Sequence, residues 1–147
     1  SSMLVADEAR AGLHSGMMML QYTAASLCLE NQALAGPDSV RSLPTSAGPE
    51  DLNPNAATAC RNLRSLVANG RSILAIELLA AGQALDLLSL TSPGDRPPQA
   101  IQRAHEAVRS RVPFLTRDEP LAPHIQALNE MLQDPALLAG LVPRDIR

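Results

Sequence analysis

The sequence predicts an all-α protein, and its composition and its hydrophobic pattern both indicate this. Among 147 residues there are one tyrosine, one phenylalanine and no tryptophan, while 46% of the residues are hydrophobic. A core of this kind is built mainly from leucine, alanine and methionine, which favour helix over strand. Apolar residues also recur at three- and four-residue steps, and no strand-like alternation stands out. Since ~100–200 residues is the usual span of one domain, we expect a single helical domain over residues 1–147.

The first predicted helix covers residues 12–35, because one apolar face recurs along it and Gly36-Pro37 then stops it. That face is made of Leu13, Met17, Leu20, Ala24, Leu27, Cys28 and Leu34. We interpret the run Met17-Met18-Met19 as flexible filling of the core. Cys28, and Cys60 of the next helix, are interpreted as buried thiols because both lie on mostly apolar helices.

Residues 36–53 form a long predicted loop, and a long helix over residues 54–90 follows it. Asn53-Pro54 is typical of an N-cap and first helical position. From Ile73 to Leu90 the helix is apolar almost all round, which is typical of a helix buried in a large core or in lipid. Acidic residues near a bilayer centre cost roughly 2.5–3.5 kcal/mol each on insertion scales, and this segment contains two. We therefore expect the centre of a helix bundle, formed between subunits.

Three shorter helices are predicted over residues 97–113, 123–133 and 135–140, each beginning near a proline. The net charge is −3 and no basic run occurs, so neither nucleic acid nor an anionic membrane surface is an expected partner. Two distant cysteines do not indicate a disulfide framework or a zinc site. With no secretory signal visible at the start, the expected compartment is the cytoplasm.

Few residues are candidates for chemistry. His14, His105 and His124 have no metal-ligand spacing, so a solvated or capping role is expected for each, and no metal site is predicted. The remaining candidate is Glu50-Asp51, an acidic pair in the long loop. These two carboxylates have two interpretations: they stabilise the positive end of the following helix dipole, or they act on a substrate. Residue types alone favour the electrostatic interpretation.

Three segments resemble one family, the histidine ammonia-lyases and their aromatic relatives. Residues 15–31 resemble its "SG…QYTAA…EN" helix, residues 42–51 its "S(I/L)PTSAxxED" loop, and residues 74–87 its "LAIELLAAxQAxDL" helix. A fourth, weaker match covers residues 117–125. The segments occur in the expected order, and together they correspond to the C-terminal part of the family sequence.

The resemblance implies a carbon–nitrogen lyase that eliminates ammonia from histidine or another aromatic amino acid; some relatives move the amino group instead. It implies a nearly all-helical fold and a tetramer-like assembly whose long helices form a shared bundle. It also implies an electrophilic methylidene-imidazolone (MIO), which the family makes from an internal Ala-Ser-Gly. Glu50 matches an acidic residue that lines the substrate pocket in histidine-type members, whereas phenylalanine-type members usually have glutamine there. The resemblance therefore favours histidine over the other aromatic amino acids but leaves the exact substrate open. Glu77 and Asp86 also match family positions and are interpreted as buried structural groups.

The departures from the family pattern leave two hypotheses. No Ala-Ser-Gly occurs in these 147 residues, and the family's catalytic tyrosine, carboxylate-binding arginine and pocket asparagine have no counterpart here. The first hypothesis is a lyase part or subunit that is inactive alone and works with an N-terminal, MIO-bearing part or chain. The second is a non-catalytic scaffold or regulatory subunit derived from a lyase, which Pro49 and the run Asn53-Pro54-Asn55 favour because they alter the loop around Glu50. The sequence leaves open whether elimination or amino-group migration is the reaction.

Overall fold

The chain is helical, as its composition and periodicity predict. A computed structural model describes residues 4–6, 13–92, 94 and 96–141. In these ranges there is no strand longer than an isolated bridge, and the prediction of an all-α fold is confirmed. The helices are α1 (Met18–Leu34), α2 (Ala56–Thr91), α3 (Gln99–Arg109), α4 (Ala122–Met131) and α5 (Pro135–Leu141), with a short 3-10 helix at Asp38–Arg41.

Backbone conformation sets where the first two helices begin. Gly12, the predicted start of the first helix, lies outside the described residues, and α1 begins at Met18. Gly16 just before it has a φ of 57°, in the left-handed region, which a right-handed helix does not use. Similarly, Asn55 has a φ of 52°, and α2 therefore begins at Ala56 instead of position 54. The Asn55 carbonyl accepts the first helical bonds, from the N–H groups of Thr58 and Ala59.

The three later helices lie close to their predicted positions, with one clear difference. α3 ends at Arg109 instead of near position 113, because the chain leaves the helix through a turn at Ser110 and Arg111. α4 and α5 agree with the predicted bounds to within two residues.

The chain divides into two compact units. The first combines the residues up to Ala24 with those from Arg71 onward, and the second comprises residues 25–70. The core of the first unit is aliphatic: Leu79, Leu128, Val112 and Met131 are each 1% exposed or less. The expectation of one domain over the whole length stays a prediction.

One stripe of α2 is covered within the first unit, and the rest of its apolar surface is not. The buried residues are Ala75, Ile76, Leu79, Gly82 and Gln83, which recur at helical spacing. Leu74 and Leu88 are exposed, and so is Glu77, which corrects the interpretation of Glu77 as a buried structural group. By length and apolar composition α2 is one helix that could cross a membrane, a test that core helices of soluble proteins also pass.

Gln83 is a buried polar residue that joins α2 to the segment after α3. Its side chain is 1% exposed and forms two hydrogen bonds with the backbone of Leu115. The amide nitrogen Nε2 donates to the Leu115 carbonyl at 2.7 Å, and the Leu115 N–H donates to Oε1 at 3.1 Å. The Gln83 side chain thus pairs with both the N–H and the carbonyl of buried Leu115. Buried backbone polar groups need such hydrogen-bond partners.

Two glycines of α2 provide a matched pair for testing how closely α3 packs. A Cβ at Gly82 would lie 3.1 Å from Cγ1 of Val108, which is buried and stiff at χ1, whereas a Cβ at Gly70 would meet nothing within 4 Å. We expect Gly82→Ala to lower the free energy of unfolding by about 1–2 kcal/mol through overpacking. Gly70→Ala should raise it by roughly 0.5–1 kcal/mol through helix propensity. Chemical denaturation of both variants measures the difference; equal effects would mean that the α2–α3 contact is looser than described.

Candidate active site

The segment between α1 and α2 begins with a buried carboxylate. Asp38 is 7% exposed, and its Oδ2 accepts a hydrogen bond from Nδ2 of Asn62 on α2 at 2.9 Å. Its backbone carbonyl accepts a second hydrogen bond, from Nδ2 of Asn55, also at 2.9 Å. Two asparagine side chains, one on α2 and one directly before it, therefore fix the start of this segment against the beginning of α2.

A second set of hydrogen bonds closes the base of the loop. The N–H of Asn53 donates to Oγ of Ser42 at 2.7 Å, joining two residues eleven positions apart. Oδ1 of Asn53 in turn accepts from the N–H of Asn55 at 3.1 Å, an Asx-turn that leads into α2. Residues 42–53 are thus a closed loop, which we call the Glu50 loop.

The tip of the Glu50 loop is a tight turn with unusual backbone angles. Thr45 and Glu50 form an isolated antiparallel bridge in which the Thr45 N–H donates to the Glu50 carbonyl at 2.8 Å. Between them Ser46 and Ala47 have φ values of 54° and 57°, and Gly48 has a φ of 108°. Consecutive positive φ values occur in primed hairpin turns, where glycine or asparagine is usual. Each non-glycine residue in this region costs roughly 1–2 kcal/mol, so the turn is strained, as is typical of functional segments.

This turn presents the carboxylate of Glu50. Glu50 is exposed, and its Oε2 accepts a hydrogen bond from the hydroxyl Oγ1 of Thr45 at 2.8 Å. No described residue donates a hydrogen bond to its Oε1, which leaves that oxygen open to an approaching group. The first turn of α2 contains no acidic residue, and a helix dipole acts mainly within that turn. The electrostatic interpretation of Glu50 and Asp51 is therefore less favoured than on residue types alone, and both interpretations of the pair stay predictions.

The three histidines each lie against a carboxylate, and none is fully solvated. Nδ1 of His14 is 3.8 Å from Asp118, Nε2 of His105 is 2.8 Å from Asp86, and Nε2 of His124 is 2.6 Å from Glu119. Half-buried histidine–carboxylate pairs replace the solvated or capping roles expected from the sequence. Among the described residues no group of three or more His, Cys, Asp or Glu side chains could hold a metal ion.

Asp86 also binds Arg109, so this carboxylate contacts two side chains of α3. Both Nε and Nη2 of Arg109 lie 2.6 Å from its Oδ2. The remaining guanidinium nitrogen, Nη1, donates to the Val112 and Pro113 carbonyls at 3.3 and 3.0 Å. All three guanidinium nitrogens of Arg109 thus contact α2 or the segment after α3. We interpret the group of Asp86, His105 and Arg109 as structural.

Two other interpretations from the sequence are wrong in this chain. Cys28 and Cys60 are exposed and not buried. Of the three consecutive methionines only Met17 is buried, while Met18 and Met19 are exposed. The sequence also gave no indication of Thr45 or Asp38, because their roles depend on the turn and loop geometry and not on spacing along a helix.

Comparison with known proteins identifies the family to which this arrangement belongs. The family model for aromatic amino acid lyases matches residues 1–110. The chain is 46% identical over 130 residues to histidine ammonia-lyase of Symbiobacterium thermophilum, covering 88% of this chain and 25% of that protein. It is 45% identical over 122 residues to histidine ammonia-lyase of Vibrio cholerae, covering 83% of this chain and 23% of that protein.

Solved structures agree with the sequence comparison. Histidine ammonia-lyase from Trypanosoma cruzi superposes with a TM-score of 0.84 at 32% identity, over 97% of this chain and 27% of that one. Tyrosine aminomutase from Streptomyces globisporus superposes with a TM-score of 0.80 at 34% identity, over 94% of this chain and 25% of that one. The chain spans about a quarter of the length of these relatives, and it belongs to the aromatic amino acid lyase family.

Proposed function

We propose that this chain is the C-terminal part of an ammonia-lyase assembly that acts on histidine, and that Glu50 contacts the substrate. The observation that carries the proposal is the Glu50 carboxylate, exposed at the tip of a strained turn with Oε1 free of described partners. The histidine ammonia-lyase relatives supply the reaction class, carbon–nitrogen bond cleavage.

The chemistry of the substrate side chain favours histidine over other aromatic amino acids. An imidazole carries an N–H donor and becomes cationic on protonation, so it can donate to a carboxylate oxygen. A charge-assisted hydrogen bond of this kind is roughly twice as strong as a neutral one. A phenyl ring has nothing to donate to Oε1. Tyrosine aminomutase is among the structural relatives, so amino-group migration is the alternative reaction on the same scaffold.

The family's cofactor does not come from these residues. MIO forms by cyclisation of an Ala-Ser-Gly segment, and no such segment occurs in the 147 residues. The residues present therefore do not fit the group. We propose that another part of the assembly, either further residues of the same polypeptide or a second chain, supplies the MIO, and that these residues have no lyase activity without it.

Exposed apolar side chains support an association of this kind. Large apolar residues along α1 and α2 are more than half exposed, and soluble monomers seldom carry apolar patches of this extent. These residues are Met19, Tyr22, Leu29, Leu63, Val67, Leu74, Leu88 and Leu90. We propose that they pack against other subunits in a homo- or hetero-oligomer with a tetramer-like core. We propose a cytoplasmic assembly with no nucleic-acid or membrane partner. The net charge of −3 and the lack of a basic run in these 147 residues favour neither kind of partner.

A second candidate function is a non-catalytic scaffold or regulatory subunit. It is favoured by the departures from the family pattern next to Glu50, namely Pro49 and the run Asn53-Pro54-Asn55. Asn53 and Asn55 nonetheless form the hydrogen bonds that close the loop base and fix the chain before α2. The altered residues thus support a closed loop that still presents Glu50, which favours the enzymatic proposal.

Native and denaturing mass spectrometry of the protein, expressed with its genomic neighbours, tests the proposal. We expect these residues in an oligomer that includes an MIO-bearing part, either on the same polypeptide or on a second one. That polypeptide should be lighter than its gene predicts by two water molecules, the mass lost when MIO forms. An oligomer built from these residues alone would support the scaffold instead, and a monomer would contradict both proposals.

A further inference from the structure

We infer that Thr45 is a positioning residue for Glu50, which holds one carboxylate oxygen so that the other faces the substrate. The inference rests on the proposed function, because it assigns Thr45 a part in that same site. It rests on two separate hydrogen bonds between the same two residues. The backbone N–H of Thr45 donates to the Glu50 carbonyl at 2.8 Å, and the Thr45 hydroxyl donates to Glu50 Oε2, also at 2.8 Å.

The two bonds constrain different degrees of freedom. The backbone bond fixes where the Glu50 main chain lies, and it is supported by the Gly48 N–H, which donates to the Thr45 carbonyl at 3.0 Å across the turn. The side-chain bond fixes the terminal torsion of the glutamate, which is otherwise broad and roughly two-fold. With Oε2 held, fewer orientations of the carboxylate remain, and Oε1 is restricted to a narrower range of positions. Fixing a group before substrate arrives lowers the entropy lost on binding.

The position of Thr45 depends on the strained turn. Ser46 and Ala47 reverse the chain with positive φ values, and this reversal brings Thr45 opposite Glu50. The loop base is closed independently by Ser42 and Asn53. Loss of the Thr45 hydroxyl therefore leaves the other loop contacts in place, and its effect is confined to the orientation of the carboxylate.

Solvent determines when this hydrogen bond matters. In the chain alone both partners are exposed, and water competes for the carboxylate. Once another part of the assembly covers the loop, water is excluded and hydrogen bonds to charged groups become stronger. The effect of Thr45 is thus expected in turnover by the complete assembly and not in the stability of the free chain.

The test compares three variants in the complete, MIO-bearing assembly. Thr45→Val keeps the shape and removes the donor, and it should lower kcat/KM for histidine about 10-fold, since hydrogen bonds to charged groups contribute this much. Thr45→Ser restores the hydroxyl and should remain within about 2-fold of the parent protein. Thr116→Val makes the same change at an exposed threonine that lies outside the Glu50 loop and forms no described hydrogen bond, and it serves as the matched control. The inhibition constant of free imidazole should rise in Thr45→Val only.

A double-variant cycle separates failure of this inference from failure of the proposed function. If Thr45 acts through Glu50, Thr45→Val in a Glu50→Gln background should add less than about 2-fold to the loss. Normal turnover of Thr45→Val beside a large loss in Glu50→Gln would overturn the role of Thr45 alone. Normal turnover of Glu50→Gln would overturn the proposed function. Should Thr45→Val not assemble, Thr45→Ala removes the same donor without a new methyl contact and carries the same expectation.

Discussion

Replacing Glu50 with glutamine in the complete assembly is expected to lower kcat/KM for histidine by about 100-fold or more. Glutamine keeps the size of the side chain but removes its charge, and loss of one partner of a desolvated charged hydrogen bond costs roughly 2–5 kcal/mol. Stability should change little, by at most about 0.5 kcal/mol, because Glu50 is exposed and lies outside the first turn of α2. Steady-state kinetics and thermal unfolding of the same preparation measure both quantities.

The neighbouring acid provides the control. Asp51 is also exposed, and it makes no described hydrogen bond through its side chain, so Asp51→Asn should leave turnover unchanged. Parallel losses in both variants would indicate a general electrostatic effect of the acidic pair. Full activity of Glu50→Gln would show that this residue has no part in the mechanism. The non-catalytic scaffold or regulatory subunit would then be the favoured function.

The second large effect is on stability, and it comes from Gln83. We expect Gln83→Leu to lower the free energy of unfolding by about 3 kcal/mol, because it leaves the N–H and the carbonyl of buried Leu115 without their partner. Leucine has a similar volume, so the loss reports hydrogen bonding more than packing. Chemical denaturation followed by circular dichroism measures the change.

An exposed glutamine of α1 serves as the matched control. Gln32→Leu makes the same chemical change where the side chain is solvated, and it should alter the free energy of unfolding by no more than about 0.5 kcal/mol. Losses of equal size in the two variants would mean that Gln83 does not bridge α2 to Leu115.

The helices could be predicted from sequence because their apolar periodicity and proline positions are local signals. Their ends were less predictable, for a physical reason visible in α1. The N–H groups of Ser15 and Gly16, which precede the helix, donate to the carboxylate of Asp118 at 2.6 and 3.0 Å. Because the acceptor lies more than 100 residues away in the sequence, no local pattern near α1 predicts this contact. At α2 the left-handed conformation of Asn55 had the same effect.

The side of α2 that is buried could not be predicted. The second half of α2 is apolar almost all round, so the spacing of its apolar residues does not indicate which side faces the core. Glu77 was assigned to the buried side for this reason, although it is exposed. Asp86 was expected to be a buried structural group; it is half-buried, and its partners His105 and Arg109 were not foreseen. Cys28 and Cys60 were expected to be buried because apolar neighbours were taken to indicate a core. In this chain, apolar neighbours also lie on surfaces that are exposed.

Glu50 itself was found through resemblance to a family, and its immediate surroundings were not. The hydrogen bond from Thr45 depends on positive φ values at Ser46 and Ala47, two residue types for which that conformation is not expected. No local propensity predicts a turn of this kind. The sequence could therefore identify the carboxylate but not the side chain that orients it.

The contact between Asp118 and the residues before α1 also joins two parts of the chain that are synthesised at different times. The partners are 103 residues apart for Ser15, and closing a loop of that length costs about 4 kcal/mol of chain entropy. On the ribosome, at ~5–20 residues per second, residue 118 follows residue 70 by roughly 2–10 s. Residues 25–70, which include the Glu50 loop, are complete before the first unit can close. A chain that ends before residue 118 would therefore lack the acceptor for the N–H groups of Ser15 and Gly16.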